Sequence, residues 1–502
     1  MADGDGPVLE AWLTSPKTSG RKVDVNVILT TECITWATEN RKHNVTVNLC
    51  DVLVARFVDE ASPTSRHEGH ASLVIHYVKH VTHKHRRNLS HRCEIFHGSA
   101  SVCKQWRDKL NDILLMKFPE RPKRLLVFVN PVSGKKSGPK VFHSQAEPLF
   151  SLCQVTVDLV VTTHAHHTEE VIASYDLGKV NGIVTVGGDG TYAEAVNGLA
   201  HRMMLEAHQD ENDPDLDLKP LPLPVGIIPT GTGDGIVEVA NTTKDIVTAV
   251  LLIILGGKLD KDLATVHHGR KLLVYSVLLT GTGLFSEIIR KAESNRSLGR
   301  ARYVYGVLYG IIKHQVIQVE VDYLPVSESS SRDEAVKENS TGETVSGWQH
   351  KSGSFVRVDN LTYSASRSPL PDREALGDGV LRLYFVRPCG RISHGVYVKK
   401  WLKGDPDVVN STIAVEVKVK AYRVRAVGEW RTSPQSHIIN VDGEIVNLPE
   451  PDFSVRCHKG VSQLFSWPLD SIPLSSSLAA TAHGREESSA SSFAQGANSQ
   501  EP

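Results

Sequence analysis

The segment GIVTVGGDGTYAEAVNGL (Gly182–Leu199) runs from an uninterrupted apolar stretch through a glycine-rich turn into a helical pattern. An uninterrupted apolar stretch is typical of a strand that is buried on both faces of a parallel sheet. Glycines in the following turn permit positive φ and leave no side chain between the backbone and a ligand, and the free N–H groups of a first helical turn suit phosphate oxygens. We therefore predict a phosphate-binding turn at Gly187, Gly188 and Gly190, with Asp189 at the ligand-binding edge of an open α/β sheet.

Two further glycine turns follow apolar runs in the same region. NPVSGKKSG (Asn130–Gly138) follows RLLVFV, and PTGTGDG (Pro229–Gly235) ends the run PVGIIP. Strands alternate with helical segments across residues 124–262, which indicates βαβ units in a doubly wound α/β domain. A single GGDG would be interpreted as a tight turn. Three glycine turns at the ends of parallel strands, however, meet at one edge of the sheet, here called the rim, and the needs of folding alone do not explain this arrangement. We interpret this rim as a phosphate-binding site.

The sequence on either side of the α/β region predicts antiparallel strands. Residues 1–118 contain short alternating runs that end in the helical segment SVCKQWRDKLNDILL, with Trp106 on its apolar face. This arrangement resembles a pleckstrin homology domain, and its loop HVTHKHRR (His80–Arg87) either binds anionic phospholipid head groups or is a solvated basic loop. The alternating runs of residues 263–468 predict an all-β domain. We expect disorder in the polar insert near 327–347 and in the tail 469–502.

Composition excludes several classes of protein. The net charge of -1 excludes a globally basic nucleic-acid-binding protein. The seven cysteines show no CxxC spacing, which disfavours a disulfide framework or a zinc site and favours a reducing compartment. The first residues, MADGDGPVLE, lack the features of a secretory signal. The most apolar stretch, Ile246–Leu255, is shorter than the roughly 18 residues of a membrane span and predicts a buried helix. We expect a cytoplasmic protein with peripheral membrane contact, at the Golgi or the plasma membrane.

Three motifs in this order, NPVSG, VGGDGTYAEAVNGL and IIPTGTGD, resemble the catalytic domain shared by diacylglycerol, sphingosine and ceramide kinases. The resemblance covers residues 123–467 and continues in LGDGVLRLYFVR and NVDGEIV. It implies an ATP-dependent lipid kinase whose nucleotide lies between the α/β domain and a following β-sandwich. It also implies Mg²⁺ at the phosphates, although the sequence does not show which residues ligate it. The P-loop pattern GxxxxGK[ST] and the HRD loop of protein kinases are missing, so those chemistries are disfavoured.

Other functions use parts of the same pattern. NAD kinases also contain GGDGT, but the long β-rich C-terminal half fits them poorly. A catalytically dead lipid-binding adaptor would keep the fold without phosphate transfer, but the intact Asp189 and the three glycine turns disfavour it.

The basic, apolar segment HGVYVKKWLKG (His394–Gly404) predicts either a calmodulin contact or, preferably, a core helix with surface lysines. The histidines His164, His166 and His167 resemble metal ligands, but no matching cysteine or carboxylate set accompanies them.

The resemblance also implies roles for individual positions. Asp189 corresponds to the general base that accepts the proton of the substrate hydroxyl. Arg296 and Arg302 correspond to arginines that hold the phosphates, with solvated or salt-bridged arginines as the alternative; Asp442 could instead cap a hairpin. The positions that match ATP contacts are Asn130, Pro131, Val132, Ser133, Gly134, Thr162, Glu194, Gly231, Thr232, Gly233, Arg296, Arg302, Asp442, Gly443 and Glu444. The positions expected to contact the lipid are Gly187, Gly188, Asp189, Gly190, Glu287 and Ile289.

Ile289 bears on the choice of lipid. Sphingosine kinases place an aspartate at the matching position to meet the substrate ammonium, and an apolar side chain cannot balance a buried ammonium. The nitrogen of ceramide is an uncharged amide, so the sequence favours ceramide, with a sphingoid base or diacylglycerol as the alternatives. Glu287, two residues earlier, is the main observation against this choice. Ceramide kinases also carry a cysteine cluster before the late strands, and NSTGETVSGWQHKSG contains no cysteine.

Overall fold

The computed structural model describes residues 6–16, 22–39, 44–59, 70–83, 86–295, 301–326, 347–361, 374–403 and 412–468. The tail predicted at 469–502, Arg296 and all but the last residue of the insert predicted near 327–347 lie outside the described residues.

The N-terminal part of the chain is an antiparallel sheet followed by one helix. The strands are β1 (Leu9–Pro16), β2 (Lys22–Leu29), β3 (Cys33–Thr38), β4 (Asn44–Asn48), β5 (Val52–Asp59), β6 (His70–His83) and β7 (Arg86–Ser99), in the spatial order β4-β3-β2-β1-β7-β6-β5. The helix α1 (Ala100–Lys117) is capped by Ser99, whose hydroxyl accepts a hydrogen bond from the Val102 N–H. Cys103, Trp106, Leu110 and Leu114 repeat at helical spacing and bury one face of α1 against the sheet. The predicted inward tryptophan is therefore Trp106.

Residues 124–255 form a parallel α/β unit. The strands β8 (Arg124–Val129), β9 (Thr156–Val161), β10 (Gly182–Gly187) and β11 (Val225–Pro229) lie in the order β11-β10-β8-β9. The helices are α2 (Gly138–Val141), which continues through a π-helical turn (Phe142–Ala146) into α3 (Glu147–Leu152), then α4 (His167–Ser174), α5 (Asp189–Glu206), α6 (Gly235–Asn241) and α7 (Ile246–Leu255). Alternate residues of β8 enter two different cores: Leu126 and Phe128 pack with α5, and Leu125 and Val127 pack with α3 and α7. Both faces of the sheet are covered, as the uninterrupted apolar runs predicted.

The remaining described strands are antiparallel to one another and extend the same sheet. They are β12 (Lys258–His268), β13 (Lys271–Ser276), β14 (Leu279–Gly283), β15 (Ile317–Pro325), β16 (Gln349–Phe355), β17 (Arg357–Leu361), β18 (Leu381–Val386), β19 (Ala414–Ala426), β20 (Ile438–Val441), β21 (Glu444–Asn447) and β22 (Asp452–Phe465). The accompanying helices are α8 (Leu284–Ser294), α9 (Ala301–Lys313), α10 (Arg391–Lys403) and α11 (Gly428–Arg431). β22 joins the two parts, because it pairs with β12 and β19 and, at Leu464, in parallel with Val225 of β11.

The N-terminal unit packs on the α/β unit through α7. Leu53, Val78 and Leu89 share a hydrophobic core with α7, and the Leu89 N–H donates to the buried Thr248 hydroxyl at 2.9 Å. The apolar helix predicted at Ile246–Leu255 is therefore buried between two units of the chain. Within the described residues, no helix combines the length and the apolar character that a bilayer crossing requires.

Candidate active site

Three loops that follow β8, β10 and β11 pack directly against one another. Gly134 has a φ of +55°, and a Cβ atom on it would overlap the carbonyl oxygen of Thr230. A Cβ atom on Gly231 would lie 2.5 Å from the Cα of Gly188. Only glycine permits such close approach of two backbones. The glycine turns therefore converge where the parallel strands end, as the sequence predicted.

A cavity of about 660 Å³ opens above these turns. The α/β unit supplies one wall, and α8, α9 and the turn between β20 and β21 supply the other. The lining residues are Ser133, Gly134, Gly188, Asp189, Gly190, Gly231, Thr232, Gly233, Glu293, Arg302, Asp442, Gly443, Glu444 and Ile445. Sequence reasoning missed Glu293 and Ile445, although each lies close in sequence to predicted residues.

Asp189 is the first residue of α5, and its carboxylate lies at the start of α6. Oδ2 accepts a hydrogen bond from the Gly235 N–H at 2.9 Å, and Oδ1 accepts one from the Ile236 N–H at 3.0 Å. Burial raises the pKa of the Asp189 carboxyl, while these two donors and the charges of Lys244 and Lys261 act in the opposite direction. The carboxylate is thus fixed in orientation at the edge of the cavity.

Lys261 is a buried cation that the sequence did not reveal. It lies on β12 with 1% of its surface exposed, and its ammonium donates to the carbonyl oxygens of Asp262 and Val277. Burial lowers the pKa of Lys261 to about 8, whereas the carboxylates of Asp442, Asp262 and Asp189 act to raise it. A lysine in an alternating strand pattern is ordinarily expected to face solvent, so only the tertiary structure identifies it.

Asp442 holds two distant turns together. Its carboxylate accepts hydrogen bonds from the Ser276 hydroxyl at 2.9 Å and from the N–H groups of Val277, Leu278 and Leu279 at 2.7 to 2.8 Å. Burial raises the pKa of Asp442, and these four donors oppose the rise. Asp442 therefore fixes the β20–β21 turn to the connection between β13 and β14, a contact that a hairpin cap would not make.

Arg302 reaches the cavity from α9 and lies beside Glu293 of α8. Arg302 Nη1 is 3.3 Å from Glu293 Oε1, and both residues line the cavity. A guanidinium at this position can offer several N–H donors to an anion. The second predicted arginine, Arg296, lies outside the described residues.

Several predicted positions support the cavity without lining it. Asn130 Oδ1 accepts from the Val132 N–H at 3.0 Å, and Asn130 Nδ2 donates to the Thr191 hydroxyl at 3.1 Å, so this amide braces the first glycine loop. Thr162 is buried, and its hydroxyl donates to the Val129 carbonyl oxygen at 3.4 Å. The predicted positions that do not line the cavity are Asn130, Pro131, Val132, Thr162, Gly187, Glu194, Glu287 and Ile289.

Glu194 acts on the cavity wall through charge. Burial raises the pKa of the Glu444 carboxyl, and the nearby Glu194 carboxylate adds to this rise, whereas His166 opposes it. His166 itself lies 3.1 Å from Glu169, and His164 lies 3.0 Å from Glu170. Two histidines of this segment thus pair with glutamates, whereas His167 contacts Thr163 and stacks on His164. Within the described part of the chain, no group of three or more His, Cys, Asp or Glu side chains is arranged to hold a metal ion.

Glu287 and Ile289 lie on α8, the helix that also carries the cavity residue Glu293. Glu287 is buried, and its carboxylate accepts two hydrogen bonds from Arg290, at 2.9 and 2.6 Å, with the Lys313 ammonium 3.4 Å away. Burial alone would raise the pKa of Glu287, but the Arg290 and Lys313 cations hold it below its ordinary value. Its charge is therefore already balanced by two cations of the chain. Ile289 is buried.

The chain is similar to known lipid kinases. Residues 124–266 match the family described as the diacylglycerol kinase catalytic domain. Ceramide kinase from Homo sapiens is 32% identical over 488 residues, which cover 84% of this chain and 90% of that protein. Sphingosine kinase 1 from Arabidopsis thaliana is 29% identical over 367 residues, which cover 68% of this chain and 72% of that protein. A diacylglycerol kinase structure from Bacillus anthracis str. Sterne is 19% identical, with a TM-score of 0.48 over 69% of this chain and 98% of that chain.

Proposed function

The chain belongs to the ceramide kinase family of lipid kinases, and we propose that it transfers the γ-phosphate of ATP to the primary hydroxyl of ceramide, giving ceramide 1-phosphate and ADP. The observation that carries the proposal is the position of the Asp189 carboxylate, which lies beside three converging glycine turns at one cavity.

The glycine turns and α5 would bind the phosphates. Within the described residues, no side chain caps the first turn of α5, so the N–H groups of Asp189 and Gly190 can donate to phosphate oxygens at the positive end of the helix dipole. Arg302 adds a fixed positive charge on the opposite wall, where it would stabilise the charge that develops on the transferring group. Arg296 is proposed for the same task by resemblance.

Asp189 would act as the general base. As the lipid hydroxyl oxygen attacks the γ-phosphorus, its proton passes to the Asp189 carboxylate and ADP leaves with the electrons of the broken bond. The N–H groups of Gly235 and Ile236 already orient this carboxylate, and each carboxylate oxygen retains a lone pair for the proton. The raised pKa of Asp189 makes its carboxylate a stronger base for this proton.

Magnesium would enter with the nucleotide. Mg²⁺ in phosphoryl transfer is commonly held by substrate phosphates, water and one or two carboxylates. Asp189 already accepts two hydrogen bonds and Asp442 four, so the cavity fits a cation that is held mainly by the phosphates. Bound there, Mg²⁺ would neutralise phosphate charge.

The surroundings of Ile289 support ceramide over sphingosine. A sphingosine ammonium needs an unbalanced carboxylate nearby, but Glu287 is already paired with Arg290 and Lys313. The pairing of Glu287 thus supports the choice of ceramide. Sphingoid base and diacylglycerol remain the alternative acceptors.

The N-terminal unit is proposed to be a pleckstrin-homology-like domain and the strands after residue 262 a β-sandwich. The antiparallel sheet closed by α1 with Trp106 inside fits the first proposal. In the loop proposed to bind anionic phospholipids, however, His80 lies 2.9 Å from Asp51 and Arg87 stacks over Trp467. Two described side chains of this loop, His80 and Arg87, thus already contact other parts of the chain.

Peripheral membrane contact is proposed through α9. Val304, Leu308 and Ile312 are 62%, 55% and 69% exposed and lie on one side of this helix. Adjacent exposed apolar side chains of this kind suit the interfacial region of a bilayer, where the acceptor lipid resides.

In the calmodulin candidate segment, Tyr397 and Val398 of α10 are buried in the body of the protein, which favours the core-helix interpretation.

A lipid panel tests the proposed function. The purified full chain is assayed with labelled Mg-ATP and with ceramide, sphingosine or diacylglycerol in identical mixed micelles. The highest kcat/KM is expected for ceramide. Faster transfer to sphingosine or diacylglycerol would overturn the choice of substrate, and no transfer to any of the three would support the dead-adaptor alternative.

A further inference from the structure

Asn440 is a buried polar side chain that has no hydrogen-bond partner among the residues that the structure describes. It lies on β20 with 0% of its surface exposed, and among the described residues neither its Oδ1 nor its Nδ2 atom is paired. A carboxamide offers two N–H donors and an oxygen acceptor, and native proteins pair the great majority of such buried groups because leaving them unpaired destabilises the fold. The contribution of Asn440 to folding therefore does not explain why its buried amide is unpaired.

A cross-strand neighbour of Asn440 reaches the active-site cavity, although Asn440 itself does not line it. Asn440 is directly opposite Ile445 of β21 and Gly281 of β14, and directly opposed residues of antiparallel strands project to the same face. Ile445 lines the cavity, and Gly281, the neighbour on the other side of Asn440, has no side chain. The helix α8, which carries Ile289 and the cavity residue Glu293, packs against β14, β20 and β21.

A ligand group beside Asn440 would need both a donor and an acceptor and would need to be uncharged. A neutral carboxamide cannot balance an ammonium, and an ester has no N–H to donate to Oδ1. A secondary amide with a hydroxyl on the adjacent carbon meets both requirements. Among the candidate acceptor lipids, only ceramide carries this pair of groups.

We propose that Asn440 recognises the amide of the acceptor lipid, with Oδ1 accepting from the amide N–H and Nδ2 donating to the oxygen of the neighbouring secondary hydroxyl. Asn440 is then a specificity-determining residue that selects ceramide over diacylglycerol and over the free sphingoid base. This inference rests on the proposed function. Ile289 disfavours the ammonium of a sphingoid base, and Asn440 would in addition favour the amide of ceramide.

A nucleotide contact is the competing explanation, because Asp442 and Gly443 line the same cavity two and three residues further along the chain. A purely structural role is disfavoured, since the amide has no partner within the described chain. Lipid recognition and a nucleotide contact predict different kinetic changes: the first changes lipid selectivity, and the second changes the KM for ATP.

The test compares Asn440→Leu and Asn440→Asp with the wild type and with Asn447→Leu, a matched change at an exposed asparagine of the adjacent strand. We expect Asn440→Leu to lower kcat/KM for ceramide by about 10- to 100-fold, the effect of one or two lost hydrogen bonds, with the KM for ATP and any activity on diacylglycerol nearly unchanged. The Tm of the ligand-free protein should stay equal or rise, because leucine removes an unpaired polar group. Asn440→Asp, which keeps an acceptor but adds a buried charge, should lose ceramide transfer without gaining diacylglycerol transfer.

A comparison of ceramide with N-methylceramide, which lacks the amide N–H, tests the proposed hydrogen bond more directly. The wild type should prefer ceramide over N-methylceramide by about 10-fold or more, and Asn440→Leu should lose most of this preference. Retention of the preference by Asn440→Leu would overturn the inference, as would a raised KM for ATP with unchanged lipid selectivity. A lowered Tm with equal losses on every lipid would indicate a structural role instead. If the wild type phosphorylates another lipid faster than ceramide, the proposed function itself fails, a result visible before any variant is made.

Discussion

Asp189 Oδ2 accepts a hydrogen bond from the Gly235 N–H at 2.9 Å, which joins the first residue of α5 to the first residue of α6. The carboxylate beside the second glycine turn is thus oriented by the helix that follows the third turn. Because each turn also packs on its neighbour through glycine, the site behaves as one unit, and a change in any turn should disturb the others.

Gly231→Ala tests the contact between the turns. The added Cβ would lie 2.5 Å from the Gly188 Cα, so the two loops must separate. We expect KM for ATP to rise by about 10- to 100-fold and the free energy of unfolding to fall by about 1 to 3 kcal/mol, measured by initial rates and chemical denaturation. Gly390→Ala is the control, since a Cβ there meets no atom within 4 Å. Equal effects of the two variants would contradict the packing argument.

Ile289→Asp tests the electrostatic basis of lipid choice. A carboxylate at this position could balance a sphingosine ammonium, so we expect the ratio of kcat/KM for sphingosine to that for ceramide to rise by about 10-fold or more. Ile289→Asn introduces a side chain of the same shape without charge and should leave the ratio near its wild-type value. The idea fails if the charged and neutral variants shift the ratio equally.

Lys261→Met tests the influence of the buried cation on the general base. The Lys261 charge acts to lower the pKa of Asp189, so its removal should raise that pKa further. Because Asp189 must be ionised to accept a proton, activity is lost as the pH falls through its pKa, and the acid limb of the kcat profile should move to higher pH. Lys258→Met, an exposed position on the same strand, is the control. An acid limb that stays in place would remove Lys261 from this role.

Leu308→Glu tests the membrane contact proposed for α9. A carboxylate on this exposed apolar face should weaken binding to ceramide-containing vesicles by about 10-fold, because it is unfavourable at the bilayer interface. Transfer to a short-chain, water-dispersed ceramide should change little. Leu205→Glu, which alters an exposed leucine at the end of α5, is the matched control. Sedimentation with vesicles measures the effect, and unaltered binding of Leu308→Glu would exclude this face.

Local sequence patterns predicted the parts of the structure that depend on neighbouring residues. The apolar run Ile246–Leu255 forms α7 with those bounds, and the glycine turns converge because the strands that precede them are parallel. Trp106 points inward as helical spacing required.

The features that the sequence did not reveal depend on contacts between distant segments. The strand β22 pairs with β12, although most of the C-terminal half of the chain separates the two strands in sequence. No local pattern specifies that partner. Lys261 and Asn440 look like ordinary polar residues of alternating strands, and only the packing of neighbouring elements buries them. Likewise, Thr162 and Glu194 match family positions, but they lie behind the cavity wall rather than on it.

The most direct test of the central claim is the turnover of Asp189→Asn measured together with its affinity for ATP. Asparagine preserves the shape of the side chain but cannot accept the hydroxyl proton, so we expect kcat for ceramide to fall by about 10²- to 10⁴-fold, while calorimetry gives a Kd for Mg-ATP within about threefold of the wild type. Asp112→Asn, on the exposed face of α1, should change neither quantity. A kcat for Asp189→Asn close to that of the wild type would show that the proton goes elsewhere and would contradict the account.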